Sequence, residues 1–413
     1  MITKYHVENF KQLKNVTCIC KDINIIIGPN GAGKSSLLQS IDFLKAFTHS
    51  SINHYLENRS LILKDLFHRR HSNNKILRRN TLRWELTIEL PSTERNEPPF
   101  KYKYQVRITE KQRIVERIFI INEIDEEHLL LLRNHKTFVF SPVSGEEQSG
   151  EFLNPNSGFL ATITDEEVEM YPDFSRIKKF ISNIQTFLIW DPAILRQRSR
   201  GNQNELGPNG QNLATNLAEL KKQKPMQFDK MINRLQKVLP NLKDIIIKGS
   251  SNGWKEINLV EKNGDGTITF NNNQISDGTL RLIAMALIRY GNRKSSLVSF
   301  EEPENGIHPP ILREAARMIE EITQLKPKFK TQVFVTTHNP YLLEMFQNQP
   351  DSIFILEKGS NETGTIITNI SFEQLEKAML LFDNSIGDLW FSSLLQSEEG
   401  DSSESVIDQG RRD

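Results

Sequence analysis

The stretch Gly28-Pro29-Asn30-Gly31-Ala32-Gly33-Lys34-Ser35-Ser36 restricts this chain more than any other. The apolar run Ile23 to Ile27 precedes it and reads as a buried strand. Leu37 to Phe47 follows and reads as a helix. A strand, a glycine-rich turn and Lys-Ser at a helix start make the pattern G-x-x-x-x-G-K-S/T, in which backbone N–H groups turn inward around a polyphosphate. The helix N-terminus adds partial positive charge. Lys34 would reach the β- and γ-phosphates, and the Ser35 hydroxyl would hold Mg²⁺. A glycine turn with an incidental Lys-Ser is the plain alternative, and the flanking strand and helix weigh against it.

Length and charge set looser bounds. A chain of 413 residues suggests two or three folding units, or one domain with large insertions. Its 52 basic and 52 acidic residues cancel, so only local patches can speak for a nucleic-acid partner. Hydrophobic content of 37% beside 25% charged residues is that of a soluble globular protein. No apolar run approaches the ~20 residues that span a bilayer. Met1 to Phe10 carries no signal-peptide core, so a cytoplasmic protein without a membrane partner is expected. Cys18 and Cys20 flank Ile19 and face one side of a strand. Two thiols without nearby histidine cannot complete a zinc site and read as small core residues in a reducing compartment.

Along the chain, Ile2 to Phe10 and Val16 to Cys20 read as strands joined by a basic turn. Lys11 and Lys14 in that turn would lie near a nucleotide or simply at a solvated hairpin tip. A polar stretch follows with Arg59, Lys64, Arg69, Arg70, Lys75, Arg78 and Arg79 among His54, His68 and His71. It suits either a nucleic-acid backbone or a solvated insertion loop. Leu82 to Leu90, Tyr102 to Thr109, Ile114 to Ile121 and Thr137 to Phe140 alternate as antiparallel strands do. Phe174 to Ile184 reads as a helix and Thr186 to Trp190 as a short strand. Arg196 to Gly210 reads as a mobile loop. Helices at Leu213 to Leu220 and Phe228 to Leu239 precede strands at Asp244 to Lys248, Trp254 to Glu261 and Thr267 to Phe270. From Ile275 onward, helices and buried strands alternate, with helices expected at Phe372 to Leu380 and Ile386 to Leu395 and a disordered acidic tail beyond.

Three later stretches carry chemistry. Leu297 to Phe300 is an apolar strand that runs into Glu301 and Glu302. Glu301 would bind Mg²⁺ directly or through water, and Glu302 would orient and polarise an attacking water. An acidic pair after a strand is common on surfaces, but Pro303-Glu304-Asn305-Gly306-Ile307-His308-Pro309 directly after it adds weight. Val333 to Thr337 is a strand ending at His338, the rim position where α/β sheets hold ligands. Alone, that histidine would more often be structural; its spacing after Glu302 favours a γ-phosphate contact. Ser276-Asp277-Gly278 opens an apolar helix. By itself this is an N-cap, with Ser276 or Asp277 as the capping group, and before the acidic strand it suggests a second phosphate contact.

In this order the stretches "NIIIGPNGAGKSSLLQ", "ISDGTLRLIAMAL", "SFEEPENGIHP" and "VFVTTHNPYLLE" resemble an ABC-type ATPase, more narrowly the SMC/RecF-like and OLD-like bacterial ATPases. The resemblance spans nearly the whole chain, with residues 50–272 weakly diagnostic. It implies an α/β ATPase head with an antiparallel β subdomain and a helical insertion. The head segments would be residues 1–50 and 273–395, the inserted β and helical region 51–272, and the acidic tail 396–413. It implies ATP and Mg²⁺ as ligands and two heads paired head-to-tail, or a higher oligomer, around two nucleotides. Gly28 to Ser36, Glu301, Glu302 and His338 would act from one subunit, while Ser276, Asp277 and Gly278 would reach the nucleotide of the other. The signature reads Ile-Ser-Asp-Gly-Thr rather than Leu-Ser-Gly-Gly-Gln, and the usual metal-binding Asp is Glu301. His308 stands where transporter-type members carry an Asp, and the Q-loop glutamine has no distinct position.

OLD nucleases carry a Toprim domain after the ATPase, and the stretch beyond His338 holds no paired Asp-x-Asp. A nuclease or toxin activity is therefore expected in a partner effector encoded nearby, as in bacterial anti-phage systems such as Septu and PARIS. The alternative is a RecF-type ATPase acting on DNA.

Overall fold

The computed structural model describes residues 1–48, 51–72, 75–78, 80–92, 98–143, 146–164, 170–188, 190–201, 205–291, 295–324, 330–359, 364–370 and 385–391. The chain opens with a hairpin of β1 (Ile2–Phe10) and β2 (Leu13–Ile19), then β3 (Ile23–Ile27) and helix α1 (Lys34–Phe43). Helix α2 (Ile52–Asn58) precedes a small hairpin, β4 (Arg69–Ser72) with β5 (Lys75–Arg78). An antiparallel meander follows: β6 (Thr81–Leu90), β7 (Phe100–Thr109), β8 (Ile114–Ile121), β9 (Glu127–Asn134), β10 (Thr137–Phe140) and β11 (Gln148–Glu151). With β1 and β2 it forms one eight-stranded sheet, ordered β11-β10-β9-β8-β7-β6-β1-β2.

Helix α3 (Pro172–Ser182) leads to β12 (Ile184–Phe187) and the short helix α4 (Pro192–Leu195). Helices α5 (Leu213–Gln223) and α6 (Pro225–Gln236) precede a three-stranded sheet of β13 (Leu242–Gly249), β14 (Lys255–Asn263) and β15 (Gly266–Phe270). The final part alternates α7 (Asp277–Tyr290), β16 (Leu297–Glu301), α8 (Pro309–Thr323), β17 (Gln332–Thr336), α9 (Pro340–Glu344), β18 (Ile353–Lys358), β19 (Thr365–Asn369) and α10 (Ile386–Phe391). A six-stranded sheet gathers β12-β16-β17-β3-β18-β19, parallel except where β19 folds back on β18.

This is the expected mixed α/β head with an antiparallel β subdomain. Every residue of β3 is buried because both faces of its sheet are covered, and the one polar residue, Asn24, is satisfied by bonds to Lys21 and the Val333 carbonyl. Ile26, Leu297, Phe334 and Phe354 face a core shared with α1 and the antiparallel sheet. Ile25, Val298, Val335 and Ile355 face the other core, with α5 to α9. Helix α1 is thus clamped between two sheets, and the Phe43 ring stacks on Trp84 of β6 at 5.4 Å between centroids. That clamp holds the loop before α1 on a rigid base.

Several local readings differ. Ile184 begins β12 instead of ending α3. Strand β9 escaped notice because a bulge opposite Ile118 and Phe119 leaves Leu130 and Leu131 both buried, which breaks the period-two pattern. The stretch from Arg196 is anchored: Arg196 donates to the Ile275 carbonyl at 2.7 Å and pairs with Asp277, and Leu206 is buried. Arg59 is no free cation, since its guanidinium pairs with the buried Asp42 at 2.7 Å. The expected helix at 372–380, Arg79 and the acidic tail lie outside the described residues. Among the described residues, no helix is long and apolar enough to cross a membrane.

The antiparallel sheet is pinned by a wholly buried ion pair, Arg133 with Glu116, at 2.5 Å. Tyr104 Oη donates to Glu116 at 2.6 Å, and Arg133 also donates to the carbonyls of Pro155 and Ser157. Removing one partner strands a buried charge. Arg133→Ala is expected to cost about 3–5 kcal/mol, read as a lowered denaturation midpoint.

Candidate functional site

Strands β3, β17 and β16 lie side by side and parallel, so their C-terminal ends share one rim. There the loop 28–33, the acids after β16 and the histidine after β17 meet, where open α/β sheets take ligands. Gly28 leaves β3 so close to β18 that a Cβ on it would stand 2.2 Å from the Leu356 carbonyl oxygen. Only glycine fits, and Gly28→Ala is expected to leave little folded protein, read by expression yield and thermal denaturation. Gly33, at φ 110°, caps α1. Pro29, Asn30 and Gly31 are exposed at the loop crest, whereas Ala32 is buried.

Lys34 turns back over this loop. Its Nζ donates to the Gly28 carbonyl at 2.7 Å and to the Pro29 carbonyl at 3.1 Å. Burial pulls its pKa down to about 8, against the attraction of Glu302, Glu301 and Glu304. Ser35 shares a hydrogen bond with the Glu301 carboxylate, whose pKa burial raises. Ser36 Oγ pairs with the Gln12 side chain, so the β1–β2 turn touches the loop. Thr365 donates to the Ala32 carbonyl at 2.8 Å and closes the loop from the β19 side.

Glu302 has φ 44°, a left-handed conformation uncommon for a residue with a side chain. The turn holds it there: its N–H donates to the Thr336 carbonyl at 3.0 Å, and Asn305 Nδ2 donates to its Oε2 at 2.8 Å. His338 Nε2 stands 3.1 Å from Glu302 Oε1 but forms no aligned hydrogen bond. Burial and then the Lys34 charge push the His338 pKa down, outweighing Glu302, so the ring is neutral at neutral pH.

Glu304 and Asn305 were read only as context for the acidic pair, yet both are wired into the rim. Glu304 is buried, and its Oε1 accepts from Thr337 Oγ1 at 2.5 Å and from the His338 N–H at 3.3 Å. Its signal is its place two residues after Glu302. Ser276 is the capping group of α7, accepting from the Thr279 N–H at 3.2 Å, and Asp277 lies exposed beside it. Gly278 packs against the turn after Glu304. His308 is exposed and caps α8 without a side-chain bond.

Beside the loop opens a cavity of about 530 Å³, bordered by Lys11, Gln12, Gly31, Phe67, His68 and Lys358 among others. Of the two basic-turn residues, Lys11 lines it. Its volume is that of a small-molecule site.

Comparison with known proteins bears on the family and the fold. Two solved structures align over nearly the full chain. One is the Smc head bound to the C-winged helix domain of ScpA, with 14% identity, TM-score 0.54, and 92% of this chain and 99% of that one covered. The other is the Smc head domain with an extended coiled coil bound to the C-terminal domain of ScpA, from Pyrococcus furiosus, with 13% identity, TM-score 0.54, and coverage of 93% and 100%. At such identities the likeness concerns the fold, that of the ABC-type ATPase head. No curated protein matches the chain. Residues 23–344 match the family described as "AAA domain, putative AbiEii toxin, Type IV TA system", from β3 through α9 and therefore across the whole rim. The chain belongs to that AAA-domain family, and its fold is the ATPase head of the SMC type.

Proposed function

We propose that this chain binds ATP with Mg²⁺, pairs head-to-tail with a second copy around two nucleotides, and hydrolyses ATP as a switch on a partner effector. The observation that carries the reading is the meeting of Lys34, Ser35, Glu301, Glu302 and His338 on one sheet rim. The loop and Lys34 bind the phosphates, and Lys34 exchanges its two carbonyl partners for them. The adjoining cavity receives the nucleoside. Ser35 and Glu301 are hard oxygen donors already bonded to one another, a set suited to Mg²⁺ that shares phosphate oxygens and water. Held by Ser35 and Glu301, Mg²⁺ would supply neutralisation of charge developing on the phosphoryl group. Glu302 orients a water and takes its proton, and neutral His338 donates toward the γ-phosphate.

The start of α7, with exposed Ser276 and Asp277 and half-buried Gly278, would meet the partner's nucleotide. A nuclease or toxin under this switch, and a role in phage defence, extend the reading by family analogy. The test is ATP-dependent dimerisation followed by light scattering, together with toxicity when the neighbouring gene is co-expressed. A chain that stays monomeric with ATP and leaves its neighbour's toxicity unchanged would overturn the switch.

A RecF-like role on DNA has one observation of its own. The β4–β5 hairpin, which pairs Arg69 with Arg78 and carries Arg70 and Lys75, follows directly on the cavity wall at Phe67 and His68. DNA-stimulated hydrolysis at low salt, lost when Arg69, Arg70, Arg78 and Arg79 are neutralised, would favour it.

A further inference from the structure

Arg281 lies on α7, one turn beyond Ser276, and only 9% of it is exposed. Its two terminal nitrogens reach backbone oxygens from different parts of the fold. Nη2 donates to the Trp190 carbonyl at 2.9 Å, and Nη1 donates to the Asn305 carbonyl. Asn305 in turn is tied to Glu302 twice, by its N–H to the Glu302 carbonyl at 3.1 Å and by its side chain to the carboxylate at 2.8 Å. The backbones are also in contact: a Cβ on Gly278 would stand 2.6 Å from the Gly306 carbonyl oxygen. Trp190, Arg281, Glu301 and Glu302 border one small cleft. The first turn of α7 and the loop 302–307 therefore cannot move independently.

We infer that Arg281 is a positioning residue that, through Asn305, sets the carboxylate of Glu302 and joins the Ser276 end of α7 to it. This rests on the ATPase reading. It deepens that reading by linking the element offered to a partner's nucleotide to the group that acts on the chain's own. Glu302 sits in a left-handed conformation that the surrounding bonds must maintain, so loosening Asn305 lets the carboxylate drift. A small misplacement of a catalytic group reduces rate far more than affinity. When the start of α7 docks, Arg281 carries the displacement to Asn305, and hydrolysis at one nucleotide responds to occupancy of the other.

The test compares Arg281→Met, Arg281→Lys, Asn305→Ala and the double variant Arg281→Met with Asn305→Ala, in the full chain with Mg-ATP. Arg281→Met and Asn305→Ala are each expected to lower kcat about 10- to 100-fold, with KM for ATP nearly unchanged. The double variant should be no slower than the slower single one, and Arg281→Lys, which keeps a donor, should recover part of the rate. Additive losses, or a raised KM with kcat intact, would overturn the coupling. If Arg281→Met does not fold, Asn305→Ala decides: a normal kcat overturns the inference and a selective kcat loss supports it. A wild-type chain that consumes no ATP overturns the ATPase reading instead. Amide exchange then decides the coupling: Arg281→Met must speed exchange at Asn305 and Ile307, and unchanged exchange there refutes it.

Discussion

Glu302→Gln is expected to lower ATP turnover by at least about 100-fold while ATP binding persists and a nucleotide-bound dimer accumulates. The substitution keeps the side chain's length and its ability to accept from Asn305 Nδ2. It removes the capacity to take a proton from water. The backbone of this residue is held at φ 44° by the turn, so the side chain has a fixed origin and no neighbouring acid can replace it. Glu301 is bonded to Ser35, and Glu304 is buried with one oxygen committed to Thr337 and the His338 N–H. His338, 3.1 Å away, is assigned to the γ-phosphate and not to the attacking water. Phosphate release in a single turnover and light scattering with ATP read the two halves of this result. Unchanged turnover would remove Glu302 from the chemistry.

How much of this was legible beforehand depends on how local each constraint is. The phosphate loop, the acids after β16 and the histidine after β17 announce themselves because each is a short contiguous stretch. Each also ends a buried, mostly apolar strand, as parallel strands covered on both faces tend to be. The capping of α7 by Ser276 is local too, and the choice between Ser276 and Asp277 needed only the geometry of one turn. What stayed hidden is held by contacts across long sequence separations. Gln12 meets Ser36 from another hairpin, Thr365 meets Ala32 from the far end of the chain, and Arg281 meets Trp190 and Asn305. None of these has a pattern in its own neighbourhood. The middle of the chain misled for a different reason. Its basic stretch suits a nucleic-acid backbone or a solvated loop equally well on composition, but Arg59 neutralises buried Asp42 and Arg69 pairs with Asp65. A composition count cannot tell a cation that awaits a ligand from one already committed.

Lys34→Ala is expected to weaken ATP binding by up to about 100-fold, since a charge-assisted contact to phosphate contributes up to about 3 kcal/mol. The geometry adds a pH signature that separates this loss from general damage to the loop. With a pKa of about 8 in the nucleotide-free chain, Lys34 is charged at pH 7 and largely neutral by pH 9. Phosphates beside the ammonium favour its charged form, so binding above pH 8 must take up a proton. Apparent affinity then falls by up to about tenfold for each pH unit above 8. Folding stability moves the other way. The unfolded chain holds this proton more tightly between pH 8 and 10.5, so Lys34 contributes increasing stability as pH rises through that window. Calorimetry at pH 8.5–9 in two buffers of different ionisation heat measures the uptake directly. The wild-type chain should show up to one proton bound per ATP, and residual binding by Lys34→Ala should show none from this position. A wild-type chain that binds ATP without proton uptake would mean that Lys34 does not exchange its carbonyl partners for phosphate.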